Sequence, residues 1–454
     1  NTTVSFANTE GNTDVVYLIR IKDDNTTERT ITWPDSFIWN GGNAPTLVNN
    51  AGGVDIEGQV FKLITRDNGA TWYAKEVVNL DNIVGYENWR FGGEGGYGGG
   101  GSNTNSYARS PIQAPGSWSA LSVGYMTHQL RLRSNKTLWA SGRNNYGQLG
   151  QGAVNESGSD TTGSSSPIQI PGTNWGYMLT GSENLSSLAT KTDGTLWAWG
   201  HNTYGGLAQN NRTDYSSPVQ IPGTTWRNSY WSVCQGANQW SCAIKTDGTL
   251  WSWGYGMFGQ LGTNESGGGM MKSSPVQVPG TTWSKISGIR NNPFAIKTDG
   301  TLWSWGYNAR GQCGHNDIVH RSSPVQVPGT NWKEAQGNGS QSGAIKTDGT
   351  LWTWGDNQNG TLGLNNRTRL SSPTQVPGTT WNSFRCASGT FYANKTDGTL
   401  WAWGYNGNGE AGVPYPSYPS SISSPVQIPG TNWKSVQDYG FGASFNGGSI
   451  LQSS

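Results

Sequence analysis

Charge is scarce in this sequence. Asp, Glu, Lys and Arg make up 13% of its 454 residues, about half the share of an ordinary soluble domain. Lys plus Arg (29) nearly cancels Asp plus Glu (28), for a net charge of +1. A nucleic-acid binder draws its affinity from a basic footprint on phosphates, and this balance argues against one. Cysteine is scarce too. Cys234, Cys242, Cys313 and Cys386 are too few to scaffold a chain of this length with disulfides. Cys234 and Cys242 flank one turn region, and the sequence leaves open whether they pair in an oxidising setting. No run approaches the roughly 20 consecutive apolar residues of a transmembrane helix. The first residues, Asn1-Thr2-Thr3-Val4-Ser5, lack both a Met and a basic-then-apolar leader, so a processed chain or a piece of a longer one is expected.

What is abundant is glycine and tryptophan, 67 and 24 residues respectively, and both recur at a fixed period. Pro-x-Gln-x-Pro-Gly begins at Pro111, Pro167, Pro218, Pro275, Pro324, Pro373 and Pro425. Thr-Asp-Gly-Thr-Leu-Trp-x-Trp-Gly is intact at 192–200, 246–254, 298–306, 347–355 and 396–404, and degraded at 134–142. Each Pro-Gly is followed within three residues by a Trp: Trp118, Trp175, Trp226, Trp283, Trp332, Trp381 and Trp433. A period near 50 fits one four-stranded propeller blade.

The local chemistry agrees. Ala243-Ile244-Lys245-Thr246, Asp247-Gly248 and Thr249-Leu250-Trp251-Ser252-Trp253 read as strand, turn, strand. Asp-Gly supplies the positive φ that a two-residue hairpin turn needs. Leu250 and Ser252 face one way, Trp251 and Trp253 the other. The segment Pro275–Pro279 has a proline at each end, which suits an outer strand. Each blade is therefore expected to run from a strand after Pro-Gly-x-x-Trp, through a hairpin, to an outer proline-bounded strand. Six such blades are complete. Trp433 to Leu451 supplies only the first half of another, and Trp89-Arg90-Phe91-Gly92 with Ser110-Pro111-Ile112-Gln113 supplies the second half. The fold predicted is all-β: a seven-bladed β-propeller over 86–454 whose closing blade is shared between the termini, which removes exposed sheet edges. A small β domain over 1–85 precedes it, with strands at 15–21, 30–33 and 59–65 and a turn at 66–71 leading into another.

Gly-Thr-Leu-Trp-Ser-Trp-Gly-Tyr-x-x-x-Gly-Gln-Leu-Gly (248–262), preceded by Ala-Ile-Lys-Thr-Asp-Gly, resembles the repeat of the regulator-of-chromosome-condensation (RCC1) family. The resemblance spans roughly 88–451. It implies a seven-bladed propeller, commonly with a shared closing blade, and a binding protein. The near-neutral charge speaks against the nuclear exchange-factor role. The run from Thr32-Trp33-Pro34 through Trp39-Asn40-Gly41-Gly42 to Thr71-Trp72-Tyr73 resembles a small β segment of phage tail-fibre and other virion structural proteins. That resemblance implies a component exposed on the virion surface. Its small domain would be a mount or oligomer contact, and the displayed propeller would meet other virion proteins or a host surface receptor. The alternative is a secreted bacterial protein of the same repeat family that binds or inhibits another protein.

Chemistry-bearing constellations are sparse. Asp193, Asp247, Asp299, Asp348 and Asp397 precede Gly in a turn, which explains them without calcium. His128, His201, His315 and His320 have no zinc-ligand spacing, and Cys313 stands where sister repeats carry Leu, as a core residue. No specific nucleophile, paired-carboxylate or phosphate-loop pattern occurs, so neither catalysis nor a cofactor is expected. Nineteen of the 24 tryptophans fall in the repeated slots, where core packing accounts for them. Of the remainder, Trp231 lies in an insertion and Trp240 has no aromatic counterpart in sister blades, making the two candidates for a binding surface. The loops between hairpin and outer strand, at 153–165, 209–215, 263–272, 315–321, 364–370 and 413–422, differ in length and composition. Equivalent loops of a propeller emerge on one face, so their divergence marks a recognition surface. Met270, Met271, Tyr415 and Tyr418 are its most adhesive residues. The glycine run 92–101 reads as a flexible loop.

Overall fold

The computed structural model describes residues 118–123, 128–152, 163–180, 185–229, 231–236, 240–387, 389–407 and 420–431, with 411 and 433, and eight strand segments upstream. The expected strands at 15–21, 30–33 and 59–65 appear as Val15–Arg20, Ile31–Thr32 and Val60–Thr65, and the fourth as Trp72–Val77. The chain divides into two compact units, Asn1–Tyr86 with Ser117–Ser119 and Glu87–Gly116 with Ala120–Ser454. In the first, a sheet runs Val15–Arg20, Val60–Thr65, Trp72–Val77, Phe37–Trp39, the last two strands parallel.

Among the described residues the second unit contains six four-stranded antiparallel sheets, each made of strands in sequence order. Blade 3 is Val233–Gly236, Trp240–Ile244, Leu250–Tyr255 and Met271–Val278. Blade 4 is Trp283–Ile289, Asn292–Lys297, Leu302–Gly306 and Arg321–Gln326. Blade 1 begins at Ala120, blade 2 at Trp175, blade 5 at Trp332 and blade 6 at Trp381. First strands pack on the first strands of the next blade, so they are innermost and the Ser-Ser-Pro strands outermost.

A blade has no surface of its own to spare. Leu250, Ser252 and Trp253 are all buried although they alternate in direction. The reason lies in the layering. Leu250, Leu261 and Val278 from blade 3 pack with Trp283, Ile286, Ala295 and Trp305 from blade 4. The opposite side of blade 3, with Trp226, Val233, Ala243 and Trp253, packs on Leu196, Leu207 and Ile221 of blade 2. The core is thus a series of layers between blades, and a strand buried on both faces need not show polar alternation.

The Asp-Gly turn departs from expectation. Lys191 N donates to Thr195 O and Gly194 N to Lys191 O, with Gly194 at φ +81°. Only the glycine has positive φ. The connection is therefore a three-residue loop, a type I turn ending in a left-handed residue, rather than a two-residue hairpin. Asp193 Oδ1 accepts from the N–H and hydroxyl of Thr195, and Thr195 Oγ1 accepts from the Trp197 indole. The recurrent aspartates are turn anchors, as expected.

Both halves of the seventh blade begin as the repeat requires. Trp89 pairs with Gln113 antiparallel, the register that Trp251–Gln277 and Trp303–Gln326 keep in blades 3 and 4. Trp433 N donates to Gly398 O at 3.0 Å, as Trp381 N does to Gly349 O. The hairpin expected at 443–451 and the glycine run 92–101 lie outside the described residues.

Candidate functional site

The two ends of the blades differ in what repetition has left free. At one end sit the Thr-Asp-Gly turns. There Lys191 Nζ lies 4.9 Å over the Trp175 ring and 4.3 Å over Trp197. Lys245, Lys297, Lys346 and Lys395 repeat the arrangement within 4.9 Å of their own tryptophan pairs. Each ammonium is held by two ring faces, and each turn carboxylate by its threonine, which draws the aspartate pKa values below their ordinary range. Five near-identical units, each with its lysine and its turn carboxylate paired within the blade, build the fold. They carry little that distinguishes one blade from another.

The opposite end carries the variable loops, and their bases are fixed by a second repeated device. Asn202, Asn308 and Asn357 are fully buried. In each, Oδ1 accepts the N–H of the residue five positions on, Leu207, Cys313 or Leu362. Each Nδ2 donates to two carbonyls of the variable loop, nine and eleven positions on. Blade-to-blade joints sit beside these staples. Asn210, Asn264, Asn316 and Asn365, all at φ between 56° and 62°, donate their N–H to Ser273, Ser322, Ser371 and Ser423 of the next blade. Trp253, Trp305, Trp354 and Trp403 donate their indole N–H to loop carbonyls of the preceding blade at 2.7–3.0 Å.

On these rigid bases an arc of half-buried aromatic rings crosses three successive joints. Tyr146 meets His201 with centroids 4.3 Å apart, Tyr204 meets Tyr255 at 4.8 Å, and Phe258 meets Tyr307 at 4.9 Å. His320 extends the third joint, 4.8 Å from Tyr307 and 5.7 Å from Phe258. Its Nδ1 accepts the Asn308 N–H at 2.9 Å, which requires that nitrogen to be unprotonated. Burial lowers the pKa of His320 and of His201, with Asp214 opposing the shift at His201. At the next joint the corresponding positions are Arg310 and Asp356, and then Asn359 and Tyr405. Among the described residues, joints with an aromatic ring on both sides are therefore those of blades 1–4. Exposed apolar side chains accompany it: Met257 (39%), Ile318 (57%) and Val319 (56%).

The sequence candidates fall in three places. Met270 and Met271 are half-buried beside the arc. Met271 pairs with Tyr255 across the ladder, and Gly256 N donates to Met270 O; the Tyr255 hydroxyl meets Met257 Sδ at 2.9 Å. Trp231 lies elsewhere, in a four-residue insertion at the start of blade 3's inner strand. Its carbonyl accepts from Ile286 N at 2.7 Å, while Asn228 of the same insertion accepts from Tyr177 N and the Thr190 hydroxyl of blade 2. The insertion thus ties blade 2 to blade 4. Half-buried Trp231 lines a small cleft with Lys285, Ser287, Phe294 and Glu334. Trp240 has no face to offer: it is 0% exposed, its indole donating to Arg290 O inside the layer between blades 3 and 4. It fills core space that sister blades fill otherwise. Tyr415 and Tyr418 lie outside the described residues.

The arc escaped sequence inspection, although a signal was present. The residue after Trp-x-Trp-Gly and the one three positions later are His201 and Tyr204, Tyr255 and Phe258, Tyr307 and Arg310. Within one blade these two side chains serve different joints, so their pairing shows only when consecutive blades are aligned. Among the described residues no group of three or more His, Cys, Asp or Glu side chains is placed to hold a metal, and no helix is long and apolar enough to cross a membrane.

Comparison with known proteins bears on the whole repeat region. Residues 89–446 match the family described as RCC1-like domain. The chain is 28% identical over 191 residues to the ultraviolet-B receptor UVR8 of Arabidopsis thaliana, covering 41% of each chain. It is 26% identical over 215 residues to a zebrafish (Danio rerio) protein RCC2 homolog, again 41% of each. The probable E3 ubiquitin-protein ligase HERC4 of Rattus norvegicus matches at 25% over 202 residues, 44% of this chain and 18% of the ligase. These matches span less than half the length of those relatives. Among solved structures, yeast RCC1 (Prp20) bound to Kap60 superposes with a TM-score of 0.62 at 19% identity, over 78% of this chain and 87% of that one. Human WBSCR16 does so with 0.57 at 20%, over 72% and 87%. At such identities the likeness is one of fold.

Proposed function

Because the chain belongs to the RCC1-like domain family, whose fold hosts unrelated functions on one frame, we propose that it is a non-enzymatic protein-binding module that engages its partner through the variable-loop face. The observation that carries this reading is the asymmetry between the ends. The turn end repeats one near-identical unit, whereas the loop end carries three aromatic joints, Met257, Met270, Met271, Ile318 and Val319 on bases fixed by buried asparagines. Aromatic residues and Met are enriched in protein interfaces and charge is depleted at their centres; a rigid base lowers the ordering cost of binding.

The setting we propose is the surface of a phage virion, with residues 1–85 as mount or oligomer contact. Its supports are the likeness of residues 32–73 to tail-fibre segments and the sparse, balanced charge of the whole chain. A secreted bacterial binder or inhibitor is the second reading, favoured by the same loop face without the mount. Yeast Prp20 is solved bound to Kap60, and its binding to Gsp1p and histones is described with its structure; all are protein partners, which supports a protein ligand here. The test is adsorption of the fluorescently labelled full chain to a panel of intact bacterial cells. Saturable binding to particular strains is expected of the virion reading. Binding to none of them, with capture of a secreted bacterial protein instead, would favour the second.

A further inference from the structure

Blade 3 differs from its sisters in one chemical respect beyond its insertion. Cys234 on its inner strand stands directly opposite Cys242 on its second strand. The equivalent cross-strand pairs elsewhere are Ser122–Leu130, Leu179–Leu188, Ser287–Phe294, Gln336–Gly343 and Arg385–Tyr392. Both cysteines carry free thiols, and both are buried in the same layer against Trp240, Trp283 and Ile286. They therefore project to one side of the sheet, and the Cys234 thiol donates to Gly288 O at 3.0 Å. Directly opposed residues of an antiparallel pair have Cα atoms about 4.5 or 5.5 Å apart, and a disulfide takes Cα separations of about 4.4–6.8 Å. The Cα separations of both register types fall within the disulfide range, so closing the bond needs only a small approach of the two Cβ atoms.

We propose that Cys234 and Cys242 are a disulfide site, closed while the chain folds in the presence of a low-molecular-weight disulfide. With 5% and 1% exposure, the thiols are open to such an oxidant before blades 3 and 4 close over them. One thiol, deprotonated, attacks the small disulfide RSSR and expels RS⁻. The second thiolate then attacks the resulting mixed disulfide at the protein sulfur, forming the Cys234–Cys242 bond and expelling a second RS⁻. The two cysteine protons end on the two RSH molecules; the protein is oxidised and RSSR is reduced. The bond falls where the blade is weakest in ladder. Blade 3's inner strand has four residues against seven in blade 4, because the insertion interrupts it after Trp226. A covalent tie between its first and second strands compensates for the missing pairs. Cys386 stands opposite Phe391, and Cys313 lies in a loop of blade 4, so neither has a cysteine partner across a ladder.

The experiment is refolding of the reduced, denatured full chain with oxidised glutathione, then denaturation, alkylation and peptide mapping. Four alkylatable thiols should fall to two, Cys313 and Cys386, with one peptide pair joined through Cys234 and Cys242. Four remaining thiols, a glutathione adduct persisting on Cys234 or Cys242, or a link involving Cys313 or Cys386 would overturn the proposal. Cys234→Ser, refolded identically, should keep three alkylatable thiols; loss of Cys242 from that count would contradict it as well. Should refolding yields be low, the same mapping on chain exported into an oxidising compartment answers the question with the same outcomes.

Discussion

His128 shows how a single side chain writes a pH dependence into the fold. It is 1% exposed, and its Nε2 lies 2.8 Å from Ser187 Oγ on the next blade. Burial lowers its pKa from 6.5 to about 3. A depressed basic group is neutral when folded, so the unfolded chain takes up the proton first as pH falls. Its contribution is complete above pH 6.5 and is lost progressively down to about 3, at up to about 1.4 kcal/mol per pH unit. Urea unfolding of His128→Gln against the parent between pH 7 and 4 should show a shallower acid slope for the variant; parallel slopes would exclude His128 as the sensor. The residue scale is also where sequence reading failed most. Trp240 looks like a spare aromatic because no sister blade has one there, yet that uniqueness reflects a local core volume. Composition reports what a residue is, and only packing reports which way it faces.

At the scale of the element, the blade was largely legible. Strand, turn, strand and outer proline-bounded strand follow from period 2, Asp-Gly and the paired prolines, and each is found in that order. The turn type was misjudged because Asp-Gly alone does not say how many residues precede the glycine in the loop. The buried asparagines were not legible, since an Asn two residues after Trp-x-Trp-Gly looks like ordinary loop composition. Their weight is testable. Asn357 makes bonds of 2.9–3.1 Å to Leu362, Asn366 and Thr368 from a fully buried position. Replacing it with Ala leaves several backbone groups without partners, for a cost of about 2–4 kcal/mol. Thermal unfolding of Asn357→Ala should show a lowered Tm, whereas Gln358→Ala, at the exposed neighbouring position, should leave Tm unchanged. Equal melting of Asn357→Ala and the parent would remove the staple from the account.

For the whole molecule, the period near 50 was sufficient to predict a ring of blades, because layers between blades leave each sheet dependent on its neighbours. Closure depends on the two ends of the chain. Trp433 N donates to the preceding turn as Trp175, Trp226, Trp283, Trp332 and Trp381 do, and Trp89–Gln113 keeps the common register. A chain ending before Trp433 should therefore unfold at markedly lower temperature or aggregate, as static light scattering during a thermal ramp would show; melting like the full chain would contradict a shared closing blade. The proposed binding face was half legible. The divergent loops lie at the end that carries the arc, with Met270 and Met271 beside it, while the arc itself is a property of adjacent blades and has no expression within one repeat.

We propose above all that partner binding belongs to this arc. The direct test compares two triple variants of the full chain, both verified as folded, in one binding assay. One is Tyr204→Ala, Phe258→Ala, Tyr307→Ala on the loop face; the other is Asp247→Asn, Asp299→Asn, Asp348→Asn on the turn face. An anchor residue at an interface contributes about 2 kcal/mol or more, so the loop-face variant should lose at least about 30-fold in affinity while the turn-face variant binds as the parent does. Loss confined to the turn-face variant, or none in either, would contradict it.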